Sequence, residues 1–204
     1  MESRILISAF EPFDGDSLNP SWEALRSLTP LPNNGEIFRL LLPVSFREAP
    51  RLLREAVEKH KPQIVLSLGL AGGRSGFSLE RIAVNLADAR IPDNEGKQPL
   101  DSFLYPGEET AYLSTLPLRL LLNELEKESL PASLSNTAGL FVCNAVFYEA
   151  ARLQARGRIR QAGFIHLPYL PEQAAEKNAT SMSLENMVRG LNRVVELLLS
   201  QELE

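Results

Sequence analysis

The chain holds a single cysteine, Cys143, and only two histidines, His60 and His166. A lone cysteine forms no intrachain disulfide, and no thiolate zinc cluster can be built on it. This usage fits a reducing, cytoplasmic setting. The HExxH spacing is absent, which argues against a zinc hydrolase of that type. Apolar runs such as Leu40–Val44 are brief. None approaches the ~20 residues of a transmembrane helix. The segment Met1 to Ile5 does not read as a signal peptide, because the apolar run starts at once and ends at Glu11. Clusters of Lys and Arg are also missing. The 21 basic and 26 acidic residues leave a net charge of −5, which repels phosphate backbones and speaks against a nucleic-acid partner.

What remains is ordinary globular material: 204 residues, 44% apolar and 23% charged, expected to form one domain over residues 1–204. Buried strands are expected over Arg4–Phe10, Glu36–Val44, Gln63–Leu70 and Ala162–Leu167, with a short one at Ala132–Thr137. Ser78–Asn85 alternates as one further strand. Asn19 and Pro20 suit the N-cap and first position of a helix over Ser21–Leu28, which Pro30 and Pro32 would end. Ser45 suits the cap of a helix over Phe46–His60. Further helices are expected over Leu116–Glu128, Phe141–Gln154 and Met182–Ser200. Asp93–Glu109, with Gly96, Pro99, Pro106 and Gly107, reads as a long loop able to cover a site or make subunit contacts. Strands alternating with helices imply an α/β/α sandwich around a mostly parallel, mixed sheet, with any site at the carboxyl ends of its strands.

Cys143 falls at the start of an apolar helix, where free N–H groups lower a thiol pKa; taken alone it fits a buried structural cysteine better. His166 ends a strand, as a base within reach of a site or as a core histidine. A Cys–His pair makes a nucleophile and its base, and the pair needs an acid to orient the imidazole. Glu80, Asp88, Asp93 and Glu95 all compete for that role on spacing. The turn Gly69 to Arg74 is a weak anion-binding signal that matches neither the Walker pattern nor GxGxxG. Phe10-Glu11-Pro12-Phe13 fits core filling or the apolar wall of a small pocket.

Several segments combine into a wider pattern. They are Phe10-Glu11-Pro12-Phe13 with Asn19-Pro20-Ser21, Ala71-Gly72-Gly73-Arg74, Glu80-Arg81-Ile82-Ala83-Val84-Asn85 and Asp88 to Gly96. Ser135-Asn136-Thr137-Ala138-Gly139 before Cys143-Asn144, and Ile165-His166-Leu167-Pro168-Tyr169, complete it. In order and spacing these resemble the pyroglutamyl-peptidase I (pyrrolidone-carboxylate peptidase) family over almost the whole chain. The resemblance implies a single α/β/α domain, commonly a homotetramer, without metal or organic cofactor. It implies a cysteine peptidase that removes N-terminal pyroglutamate from peptides. Its triad falls on Glu80, Cys143 and His166. Phe10, Phe13, Asn19, Phe141 and Val142 match positions around the pyroglutamyl pocket, and Arg90 matches a family arginine near the catalytic cysteine.

The chain departs from the family pattern at Ala9, where glycine is usual, at Asp14 in place of a glycine, at Leu70 in place of glutamine, and at Ala145 in place of histidine. Leu70 and Ala145 motivate an alternative, a small-molecule or peptide binder on the same fold. A nucleoside-phosphorylase-like enzyme is a further alternative whose only hint is Gly72-Gly73-Arg74.

Overall fold

The strand-forming segments assemble into one six-stranded sheet in the computed structural model, which describes residues 4–29 and 35–200. The elements run β1 (Arg4–Phe10), α1 (Pro20–Arg26), β2 (Glu36–Leu42), α2 (Glu48–His60), β3 (Ile64–Leu70), β4 (Phe77–Glu80) and β5 (Ile82–Val84). They continue with β6 (Ala111–Leu113), α3 (Leu118–Lys127), β7 (Ala132–Ser135), α4 (Val142–Ala155), β8 (Gln161–Leu167), α5 (Pro171–Lys177) and α6 (Leu184–Ser200). The strand order is β2-β1-β3-β8-β4-β7. The first four strands are parallel; β4 pairs antiparallel with β8, and β7 runs parallel to β4. The sheet is therefore mostly parallel and mixed, with helices on both faces.

Alternation along the strands divides the core in two. Ile5, Ile7, Leu66, Leu68, Ile165 and Leu167 point to the face covered by α1, α3 and α6. Leu6, Phe10, Val65, Ala162 and Phe164 point to the face covered by α2 and α4. Both faces of each central strand are apolar, which is why these strands read as continuous hydrophobic runs.

Local chemistry explains the element ends. Asn19 Oδ1 accepts from Ser21 N at 3.0 Å and caps α1 behind Pro20. That helix ends at Arg26; Pro30 and Pro32, like Met1, Glu2 and Ser3, lie outside the described residues. Ser45 Oγ accepts from Glu48 N at 3.0 Å at the start of α2. The expected strand Ser78–Asn85 is two strands. Arg81 is the pivot: its N–H donates to Ser135 O on the main sheet, and its carbonyl accepts from Ser114 N next to β6. Ile82–Val84 then pairs with Ala111–Leu113 in a separate ribbon, which the alternation pattern could not reveal. The expected reading also lacked β6 and α5. The latter carried the signals of a short helix, with Pro171 at its first position, Glu172 in the first turn and Lys177 in the last.

Candidate active site

Residues pointing toward α4 from the carboxyl ends of β3 and β8 form the floor of the site. Gly69 on β3 lies in register with His166 on β8, and Ser67 with Phe164. Helix α4 packs over both strands and begins at Val142, so Cys143 is its second residue. The Cys143 Sγ stands 2.9 Å from the point that a Cβ on residue 69 would occupy. Only glycine leaves room for the thiol beside His166. The helix start is tied down by Asn144, whose side chain accepts from Val84 N at 3.0 Å and donates to Val84 O and Leu86 O at 2.9 Å each.

Behind His166 lies a carboxylate with no solvent exposure, Glu80 at the end of β4. Its Oε1 is 2.8 Å from His166 Nδ1. A carboxylate only accepts, so Nδ1 carries the hydrogen and Nε2 is the free acceptor of the neutral ring. The same Oε1 accepts from Arg74 Nη1 at 2.7 Å, while Arg74 Nη2 donates to Thr137 O at 3.2 Å. The glycine-rich turn thus holds an anion, and the anion is the chain's own Glu80. The turn needs Gly73 at φ +87°, a backbone that other residues resist.

The competing acids are engaged elsewhere. Asp93 fastens the long loop, accepting from Glu95 N, Lys97 N and Phe46 N at 2.8–2.9 Å. Glu95 accepts from Ser45 Oγ, and Asp88 is exposed. The loop Asp93–Glu109 has no helix or strand of its own and is pinned by these contacts and by Asn94 Nδ2 to Pro12 O at 3.2 Å.

Charge states follow from burial. Desolvation, then the negative Glu80, push the Cys143 thiol up to about 12, against its own backbone N–H and Arg74. The backbone N–H at the helix start still pulls the thiol down, but desolvation of the thiolate acts more strongly. Burial holds His166 below the ordinary imidazole value, although Glu80 pulls it upward. At neutral pH the pair rests as thiol and neutral imidazole. Among the described residues no hydrogen bond joins Sγ to the ring; such contacts commonly tighten only with substrate.

A small apolar cavity opens onto Cys143. Phe10, Phe13, Asn19, Phe141 and Val142 line it, as do Val44 and Leu70. Phe13 and Phe141 tilt together with centroids 6.2 Å apart, and Phe46 braces Phe141 edge-on at 5.3 Å. Asn19 has its Oδ1 committed to Ser21 and one N–H to Glu11 O. Its second N–H has no hydrogen-bond partner among the described residues. Arg90 does not line the cavity. Its side chain is exposed and makes no ion pair or side-chain hydrogen bond among the described residues. Sequence reasoning missed Val44 and the contact made by Arg74. The position of Leu70 at the end of β3 was the available signal for that residue. Among the described residues no three His, Cys, Asp or Glu side chains gather as a metal site requires.

Comparison with known proteins gives a consistent answer. The family model described as pyroglutamyl peptidase matches residues 3–201. A pyrrolidone-carboxylate peptidase of Bacillus licheniformis is 44% identical over 198 residues, 94% of this chain and 90% of that protein. One from Fusobacterium nucleatum is 42% identical over 98% of this chain and 94% of its own length. Among solved structures, pyroglutamyl peptidase I from Bacillus amyloliquefaciens superposes with a TM-score of 0.94 at 40% identity, covering 99% of this chain and 97% of its own. A pyrrolidone carboxyl peptidase from Pyrococcus furiosus gives 0.94 at 40% identity, covering 98% and 100%.

Proposed function

The chain belongs to the pyroglutamyl peptidase family, and from that premise we propose how its residues divide the work of the reaction. It is a cysteine peptidase that removes an N-terminal pyroglutamyl residue from peptides. We assign Cys143 as nucleophile, His166 as general base and acid, and Glu80 as the acid that orients it. The observation that carries this assignment is the contact of His166 Nδ1 with Glu80 Oε1, on a histidine in register with the glycine that seats the Cys143 thiol.

The proton bookkeeping follows from the resting charge states. His166 Nε2 takes the thiol proton as Sγ attacks the pyroglutamyl carbonyl carbon. The oxyanion forms at the start of α4, whose first N–H groups lack intrahelical partners. When the C–N bond breaks, Nε2–H protonates the leaving amine and leaves a thioester on Cys143. Water, deprotonated by Nε2, then attacks the thioester, releasing pyroglutamate and restoring the thiol.

Specificity has a physical source. The cavity is walled by Phe10, Phe13, Val44, Leu70 and Phe141 and contains no carboxylate. A charged α-ammonium would lose its hydration there without a counter-ion, which is costly. The lactam carries no charge and escapes this cost. For Arg90 only the resemblance, to a family arginine near the catalytic cysteine, supports a role.

The described residues contain no helix long and apolar enough to cross a membrane. A nucleophile that must stay a free thiol favours a reducing compartment, which supports a cytoplasmic location. One sheet carrying both the first and last strands supports reading residues 1–204 as one catalytic domain. Exposed Leu100, Phe103 and Leu113 support self-association, for which we propose a homotetramer; light scattering tests it. For the activity itself, a pyroglutamyl amide bearing a chromophore is run beside the glutamyl and prolyl amides. Cleavage of the first alone is expected. Failure by folded, reduced protein would point to a binder altered at Leu70 and Ala145.

A further inference from the structure

Among the described residues, hydrogen bonds hold Glu80 at one oxygen only. Its Oε2 is buried without a hydrogen-bond partner, and both donors it has, Arg74 Nη1 and His166 Nδ1, converge on Oε1. The whole negative charge of the buried carboxylate is thus compensated through one oxygen. Two donors on one atom also fix the carboxylate more firmly than either alone. Arg74 is in turn fixed at both ends: Nη2 holds Thr137 O, and its carbonyl accepts from Thr180 Oγ1 at 2.8 Å. Its guanidinium is partly exposed, at 31%, so the charge is in contact with water on one side and with Glu80 on the other.

We propose that Arg74 is a positioning residue of the reaction: it clamps Glu80 Oε1 where His166 needs it and offsets the Glu80 charge at the reacting pair. The proposal rests on the triad reading above. The charged groups that act on both His166 and Cys143 are Glu80 from β4 and Arg74 from the β3–β4 turn. Arg74 opposes protonation of His166 and favours ionisation of Cys143, whereas Glu80 does the reverse at both. Without the guanidinium, Glu80 acts unopposed. His166 then holds its proton to higher pH, and the carboxylate is free to swing toward other partners. Substrate binding is untouched, because Arg74 does not line the cavity.

The test compares Arg74→Gln and Arg74→Lys with the native enzyme on a pyroglutamyl amide, each checked for fold by thermal melting. Arg74→Gln is expected to lower kcat ~10–100-fold, as loss of a supporting hydrogen bond does at metal sites, with KM within about 2-fold. The ascending limb of its pH–kcat/KM profile should move to higher pH. Arg74→Lys keeps the charge and loses the fork, so its limb should stay near native while kcat recovers in part. A folded Arg74→Gln with native kcat and an unmoved limb overturns the proposal. If Arg74→Gln does not fold, a native kcat in Arg74→Lys overturns it, and a lowered kcat at native KM supports it. Cys143→Ala and His166→Ala run alongside: cleavage by either sinks the triad reading itself, whereas their inactivity beside an unaffected Arg74→Gln sinks only the role of Arg74.

Discussion

Gly69 and Cys143 are matched across two elements: the Sγ lies 2.9 Å from where a Cβ on residue 69 would be, and the Phe164 ring lies 2.8 Å from the same point. Strand and helix can approach this closely only over a glycine. Gly69→Ala is therefore expected to destabilise the protein by about 1–3 kcal/mol, the usual cost of overpacking, and to displace the thiol from His166. Thermal melting should show the first effect and a fall in kcat the second. A native Tm with native kcat would show that the neighbours yield freely.

Glu80→Gln should cost more than any change in the cavity. The amide cannot accept from Nδ1 and Arg74 as a carboxylate does, and it frees the imidazole to adopt the wrong tautomer. By analogy with loss of the orienting acid in serine proteases, kcat should fall by about 10³–10⁴-fold. Steady-state kinetics on folded Glu80→Gln checks this; a loss under about tenfold would remove Glu80 from the mechanism.

The pH profile follows from the buried imidazole. Because His166 is held below the ordinary value of about 6.5, it is a neutral base already in mildly acidic solution. The ascending limb of kcat/KM should lie below pH 6.5. A limb at or above pH 7.5 would mean that Glu80 outweighs burial and that the resting pair is an ion pair.

Much of the fold was legible because the central strands are apolar on both faces and Asn19 caps α1 as its sequence signals, whereas α2 begins at Glu48 with Arg47 at the cap position and Ser45 only bonding its first turn. The break at Arg81 was not legible. Ser78–Asn85 alternates throughout, and only the competing partners Ser135 and Ser114 decide where the main sheet ends. In the site, spacing left Glu80 level with Asp88, Asp93 and Glu95, and the family motif singled it out. The contact of Glu80 with His166 joins residues 86 positions apart, which no local pattern encodes. The environment of Cys143 was open for a similar reason: helix position is visible in sequence, but the desolvation that opposes it comes from the packed sheet below.

Leu70 on the cavity wall gives a prediction about binding rather than chemistry. Leu70→Ala removes apolar surface from the cavity wall where the lactam is proposed to bind, worth about 1–2 kcal/mol. KM should rise by roughly 5–30-fold while kcat stays within a few fold. A large fall in kcat at constant KM would place residue 70 in contact with the reacting atoms instead.

The central claim is that the pyroglutamyl group passes through Cys143. Acid quenching during turnover of a pyroglutamyl amide, followed by peptide mass analysis, tests it directly. One pyroglutamyl group should appear on the peptide containing Cys143, sensitive to hydroxylamine and absent from Cys143→Ala. Turnover by Cys143→Ala, or steady cleavage with the label on another residue, would contradict the account.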